Sequence, residues 1–410
     1  MKSVLMIAFH FPPIQGSSGI QRTLGFARHL PELGWQPIVL TAHPRAYPST
    51  TDDLVDTLPP TLHVIRAQAW DASRHFAIRG RYPAALARPD RWLSWWLGAV
   101  PAGLSVIRRL KPQALWSTYP IATAHSIGAT LQARSGLPWI ADFRDPMAQD
   151  DYPPDPVTRR HYAELDHRTV SQARRTFLTT PSAVADYRHR YPQHAHRIEL
   201  LENAFDEDSF RQAEATLPPN AGALNPGKRT LLHSGIVYPS ERDPSHLFAA
   251  LAHLQRTQPQ VYAALQIRFR APVHDTLLQG LAAQHGVASA VQILPALGYR
   301  DALAEMLCAD GLLILQASNC NAQIPAKLYE YFRAQRPIIA LTDPAGDTAA
   351  RCRAAGIETD APLDDSLAIA KRLAQFVTGT LAPSIAPAAA IAQASRRARA
   401  QQLAEALDAL

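Results

Sequence analysis

Short apolar runs alternating with stretches of helical periodicity constrain this chain more than any other feature. Residues 4–9 read as a buried strand, 20–33 as a helix with apolar side chains at 20, 24, 27, 30 and 33, and 38–41 as a second strand. The pattern recurs with a strand at 114–116, a helix at 122–134, a strand at 139–141, a long helix at 156–175 and a strand at 176–179. Strands joined through helical crossovers run parallel, and a parallel sheet is covered on both faces, so the alternation predicts an α/β fold.

A compositional break follows at 215–228, where Pro218, Pro219, Asn220, Gly222, Asn225, Pro226 and Gly227 leave few apolar positions. Beyond it the alternation restarts: strands at 230–233, 265–269, 291–294, 311–315 and 337–341, with helices at 245–256, 274–285, 300–307 and 327–332. The division expected is a first domain at 1–210, a linker at 211–228 and a second domain at 229–390. A terminal amphipathic helix at 391–410 carries Arg396, Arg397 and Arg399 on one face. A length of 410 residues suits two domains of about 100–200 residues each.

Hydrophobic residues at 47% and charged residues at 19% exclude a disordered chain. The net charge of +6 is uneven: residues 1–204 hold 23 basic and 16 acidic side chains, and the remainder hold 18 and 19. A basic amino half suits an anionic surface or substrate; no motif supports nucleic acid. Cys308, Cys320 and Cys352 are odd in number and lack ligand spacing, which argues against a disulfide framework or a zinc site. The apolar run 4–9 is too short for a secretory signal and no small-residue cleavage site follows it, so a cytoplasmic location is expected. Residues 92–107 are uncharged and include Trp92, Trp95, Trp96 and Pro101, but fall short of the roughly 20 apolar residues a spanning helix needs. Beside Arg79, Arg81, Arg88, Arg91, Arg108 and Arg109, these Trp residues fit either a lipid headgroup interface or a helical core.

Four stretches carry candidate chemistry. In the first βα turn, Gly16, Ser17, Ser18 and Gly19 form either an anion cradle at a helix N-terminus or a tight turn with a Ser cap. Asp142-Phe143-Arg144-Asp145-Pro146 follows a strand, at the sheet edge where open α/β folds bind ligands. Asp142 suits orienting a sugar hydroxyl or accepting a proton, and Arg144 suits pairing with Asp145 or reaching a phosphate; these two are the candidate catalytic residues. In the second half Gly235 ends a strand and Arg242 precedes a helix, placed either to face a diphosphate or to pair with Glu241 or Asp243. Finally, Pro325 is positioned to start a helix on which Lys327 and Glu330 share a face at i,i+3 spacing, a cation for phosphate and a carboxylate for ribose hydroxyls.

With these residues in view, the chain resembles GT-B glycosyltransferases of the family 4 type, in the branch of cell-surface polysaccharide enzymes. The resemblance rests on His10-Phe11-Pro12-Pro13 with the Gly16–Gly19 turn, on 142–146, on Glu202-Asn203-Ala204-Phe205-Asp206, on Ser234-Gly235 with Arg242-Asp243-Pro244, and on 325–332. It implies two facing Rossmann-like domains, acceptor bound by the first and sugar nucleotide by the second, with the C-terminal helix crossing back to the first. It further implies transfer of a sugar from a UDP or GDP donor, with retention and without an essential metal or other cofactor. The acceptor implied is a saccharide or a polyprenyl-diphosphate-linked saccharide, at a membrane-peripheral site on the inner face of the cell membrane. Glu330 matches the second Glu of the family's E-x7-E motif. The first Glu falls at Ala322, the first of two phosphate-binding cations at Ile236, and a frequent His at Thr118. These departures leave open a sugar-nucleotide epimerase or hydrolase of the same shape, or a non-catalytic binding subunit.

Overall fold

The computed structural model describes residues 1–16, 19–52, 54–150, 152–218 and 222–410. The chain divides into two compact units: Met1–Asn203 with Arg396–Leu410, and Ala204–Ser395.

In the first unit seven strands run parallel: β1 (Lys2–Ile7), β2 (Trp35–Ala42), β3 (His63–Ala67), β4 (Ala114–Thr118), β5 (Trp139–Arg144), β6 (Arg175–Leu178) and β7 (Ile198–Leu200). Their order in the sheet is β3-β2-β1-β4-β5-β6-β7. The central strands are apolar on both faces because helices cover both; Val4, Leu5, Met6 and Ile7 are wholly buried.

The second unit holds six parallel strands: β8 (Arg229–Ser234), β9 (Leu265–Arg270), β10 (Val291–Leu294), β11 (Gly311–Leu315), β12 (Ile338–Leu341) and β13 (Asp360–Ala361). Their order is β10-β9-β8-β11-β12-β13. In each sheet the chain winds outward from a central strand in both directions, so strand order reverses beside β1 in one and beside β8 in the other. The crevice at the carboxyl ends of the strands at such a switch point is where open α/β folds place ligands.

Two boundaries differ from the sequence expectation. The helix Glu207–Thr216 occupies the start of the expected linker 211–228, capped by the Asp206 side chain, which accepts from Ser209 N at 3.1 Å, and burying Phe210 and Ala213. Those apolar positions lie upstream of the Pro/Gly-rich stretch, and the unit boundary moves to Asn203/Ala204. The expected helix 391–410 is two helices, Ala388–Gln393 and Arg396–Asp408, the first in the second unit and the second in the first. Ala400, Leu403, Ala404 and Leu407 join a core with Phe26, Leu30 and Trp35. Gly25 admits this helix closely: a Cβ there would lie 2.7 Å from Arg396 Cδ.

The tryptophans settle into the core. Trp95 is wholly buried, Trp92 Nε1 donates to the Ala46 carbonyl at 3.0 Å, and Trp96 Nε1 donates to Thr130 Oγ1 at 3.1 Å. Exposed apolar side chains of this region lie upstream at Phe76, Ile78 and Leu86, and on the Trp helix itself at Leu97 and Leu110. Among the described residues no helix is long and apolar enough to cross a membrane.

Candidate functional site

At the end of β8 the chain leaves the sheet through Gly235, whose φ of +112° no ordinary side chain tolerates well. Gly235 N–H donates to the Arg270 carbonyl at 2.8 Å, which fixes the turn against β9. A Cβ at this position would sit 3.1 Å from Lys327 Nζ, so the absence of a side chain lets the ammonium approach the turn.

Lys327 is the first residue of the helix Lys327–Ala334, whose Leu328, Tyr329, Tyr331 and Phe332 are buried in the core. The structure places Pro325 just ahead of this helix, not as its first residue: its carbonyl accepts from Leu328 N–H at 2.9 Å, and Ala326 stands between. Lys327 Nζ donates to His233 Nε2 at 3.2 Å. Burial, followed by the neighbouring Arg242 guanidinium, pushes the Lys327 ammonium down to about 7, while Glu330 opposes the shift.

Arg242 is partly buried, donates from Nη1 to the Ile236 carbonyl at 2.6 Å, and lies over the Tyr238 ring at 5.1 Å. The expected alternative partners Glu241 and Asp243 do not hold it: Asp243 caps Ser245 instead, accepting from N at 3.0 Å and from Oγ at 2.6 Å. Glu330 accepts from the Tyr299 hydroxyl at 2.8 Å, and the Tyr331 hydroxyl accepts from Ser234 N–H at 3.1 Å. Gly235, Arg242, Lys327 and Glu330 therefore gather at the carboxyl end of β8, beside the switch point. Two cations and a Gly turn, with one imidazole hydrogen-bonded to the ammonium among the described residues, make a cradle for an anion. Ala322 is exposed, and Asn319 donates to the Ser240 carbonyl at 2.8 Å, bracing the same loop.

In the first unit Asp142 has a partner that the sequence does not announce. Its carboxylate is wholly buried and gripped at both oxygens by Arg22, from Nε at 2.7 Å and from Nη2 at 2.9 Å. Arg22 also donates to the Leu201 and Glu202 carbonyls, each at 2.9 Å. Asp142 and Arg22 thus tie the helix Gly19–His29 and the 201–202 segment to β5. The neighbouring Thr118 is buried as well and lies 3.5 Å from Asp142 Oδ2.

Arg144 stands at a register shift in β5 with φ of +63°; burial lowers its pKa, and the Asp145 charge opposes that shift. It reaches the first residue of the helix Gly19–His29: a Cβ on Gly19 would lie 2.8 Å from Arg144 Nη1 and 2.8 Å from His10 Nδ1. Burial and Arg144 together push His10 down to about 4, so its imidazole is neutral at pH 7. Arg144 Nε is buried without a hydrogen-bond partner among the described residues. Gly16 turns with φ of +81°, while Ser17 and Ser18 lie outside the described residues. Of the expected catalytic pair, Arg144 alone faces this loop.

His233, Tyr299, His10 and Arg22 went unassigned in the sequence reading. His233 had a local signal, as a polar side chain closing an apolar strand directly before the Gly235 turn. Tyr299 had none, because 31 residues separate it from Glu330. Among the described residues no group of three or more His, Cys, Asp or Glu side chains comes together to hold a metal ion.

Comparison with known proteins bears on this arrangement. Residues 18–204 match the family described as the glycosyl transferase 4-like domain. No curated protein matches by sequence. Among solved structures, the chain is similar to HepE of Anabaena in complex with UDP, at TM-score 0.65 and 13% identity over 100% of both chains. It is similar to the trehalose-6-phosphate synthase OtsA at TM-score 0.71 and 11% identity, covering 100% of this chain and 99% of that one. It is similar also to sucrose-phosphate synthase of Thermosynechococcus elongatus at TM-score 0.61 and 15% identity, covering 99% and 95%. By its two parallel sheets the chain has the GT-B fold, and residues 18–204 match the glycosyl transferase 4-like domain.

Proposed function

We propose that the chain transfers a sugar from a nucleoside-diphosphate sugar, with retention of anomeric configuration, to a saccharide or polyprenyl-diphosphate-linked acceptor in surface polysaccharide biosynthesis. The observation that carries the donor assignment is the convergence of Gly235, Arg242 and Lys327 at the carboxyl end of β8, with Glu330 one helical turn on. As the glycosidic bond to the leaving diphosphate breaks, negative charge grows on the phosphate oxygens. Cations already fixed in a partly desolvated site stabilise that charge without reorganising. In this reading Lys327 and Arg242 hold the diphosphate, and the Glu330 carboxylate, oriented by Tyr299, takes the ribose hydroxyls. UDP is favoured over GDP because the similar HepE was solved with UDP and with UDP-glucose.

The lipid-linked acceptor is supported by a surface of the first unit. Ile78 and Arg81 exchange backbone hydrogen bonds at 2.8 and 3.1 Å across a tight turn, with Arg79 at φ of +51° and Gly80 at +76°. Ile78 is 80% exposed at this tip, Phe76 is exposed two residues before it, and the exposed Arg79 and Arg81 belong to the same turn. An apolar tip flanked by cations suits the interface of an anionic membrane, where each cation near the surface contributes about 1 kcal/mol. In this reading the enzyme works peripherally on the inner face of the cell membrane.

The experiment is a turnover assay with UDP- and GDP-sugars and a lipid-diphosphate saccharide, with product stereochemistry read by NMR. Sugar transfer with retention, lost in Lys327→Ala, supports the reading; release of free sugar with acceptor present and no glycosylated product contradicts it.

A further inference from the structure

We infer that His233 is a positioning residue of the donor site: it holds the Lys327 ammonium at the Gly235 turn, where the diphosphate is gripped. The inference rests on the donor assignment above and adds a residue that no motif marks.

The geometry assigns the tautomer. His233 Nδ1 lies 3.0 Å from the Leu313 carbonyl of β11, which can only accept, so Nδ1 carries the proton. In the neutral ring Nε2 then carries the lone pair, and it lies 3.2 Å from Lys327 Nζ, with the Ile236 backbone carbonyl also beside the ring. An ammonium only donates, so the two ends of the ring are satisfied in opposite senses: β11 fixes the imidazole, and the imidazole fixes the ammonium. Burial, then the Lys327 charge, hold His233 well below the usual imidazole range, so it stays the acceptor at neutral pH.

This arrangement leaves Lys327 with one hydrogen-bond partner among the described residues, although an ammonium has three N–H donors. The spare donors lie beside Gly235, whose missing side chain keeps the approach open. The charged and titratable groups facing Lys327 are His233 from β8, Arg242 from the following loop and Glu330 from its own helix. Of these, His233 is the group that accepts a hydrogen bond from the ammonium in the structure. Without it, the charged form of Lys327 loses its acceptor while the Arg242 repulsion remains.

The test is titration of UDP, GDP, inorganic pyrophosphate and the parent nucleosides into wild-type protein, His233→Leu, His233→Gln and Lys327→Ala, from pH 5.5 to 9. Ligand-free melting of each variant checks the fold. The expected result is that His233→Leu weakens diphosphate binding about tenfold at pH 7.5, the scale of one charge-assisted hydrogen bond. The pH at which affinity begins to fall moves lower, nucleoside affinity is unchanged, and His233→Gln, whose amide oxygen can accept from Lys327, restores both. Unchanged diphosphate affinity and pH profile in His233→Leu overturn the inference, as does an equal loss for nucleoside, which would mark general damage. Binding that needs Lys327 but not His233 overturns this inference alone. Absence of diphosphate binding in the wild type overturns it together with the donor assignment.

Discussion

The Lys327 ammonium and the His233 imidazole meet at 3.2 Å at the carboxyl end of β8, one brought by a helix start and the other by a strand end 94 residues earlier. The pairing is a product of the switch-point topology. β8 and β11 are neighbours in the sheet, and the loops that leave them converge on one crevice.

Removing either donor-site side chain has a defined cost. Lys327→Ala and Glu330→Ala each weaken nucleoside-diphosphate binding by about 1–3 kcal/mol, the usual scale for lost hydrogen bonds to charged groups, or roughly fivefold to 150-fold in Kd. Calorimetric titration of the two variants checks this.

Diphosphate affinity depends on pH with a fixed sign. The free site holds Lys327 at about 7, and a bound diphosphate favours the ammonium and raises that value. The complex therefore carries more protons than the free protein above pH 7. Affinity is level below about pH 7 and falls as pH rises through it, by up to about tenfold per unit. Titrations at pH 6, 7, 8 and 9 read the slope; a flat profile over that range excludes Lys327 as the linked group.

Gly235→Ala has two readouts. A side chain at φ of +112° costs about 1–3 kcal/mol of stability, lowering the melting temperature. The new Cβ, 3.1 Å from Lys327 Nζ, also displaces the ammonium, so diphosphate affinity falls in the protein that remains folded.

The Arg22–Asp142 pair is expected to hold the first unit together. Arg22→Ala leaves a wholly buried carboxylate without its cation, a loss of about 3–5 kcal/mol, and the melting temperature of the first unit drops by about 10 °C. Differential scanning calorimetry measures it. An unshifted melting curve with lost turnover would return Asp142 to a ligand-facing role.

Membrane contact is tested at the 78–81 turn. Wild-type protein is expected to float with vesicles containing anionic phosphatidylglycerol and not with neutral phosphatidylcholine, and Ile78→Asp abolishes flotation without altering UDP affinity. Flotation unchanged by that substitution excludes the turn as the contact.

Much of this was legible in the sequence because its signals are local. Buried parallel strands are apolar runs, and the second-unit cluster lay in two short motifs, Gly235 with Arg242 and Lys327 with Glu330. What was missed is long-range or weakly patterned. Strands β3, β7 and β13 are short and lie at or next to a sheet edge, so half-exposed residues such as Val64, Ile65 and Arg66 dilute the apolar signal. Pro/Gly composition masks the periodicity of Phe210 and Ala213, so the helix Glu207–Thr216 overlaps the linker expected at 211–228. Asp142 illustrates the harder case. A carboxylate at a strand's carboxyl end reads the same whether it faces ligand or a buried arginine, and its partner Arg22 lies 120 residues away. In the first unit the contact of Gly19 with Arg144 and His10 likewise joins three distant segments.

The most direct test of the central claim is calorimetric titration of UDP, GDP, CDP and ADP into the wild-type protein and Lys327→Ala at pH 6.5. Selective binding of one nucleoside diphosphate, UDP foremost, weakened at least tenfold in Lys327→Ala, is the predicted result. Binding of none, or equal binding by both proteins, would contradict a donor site at the carboxyl end of β8.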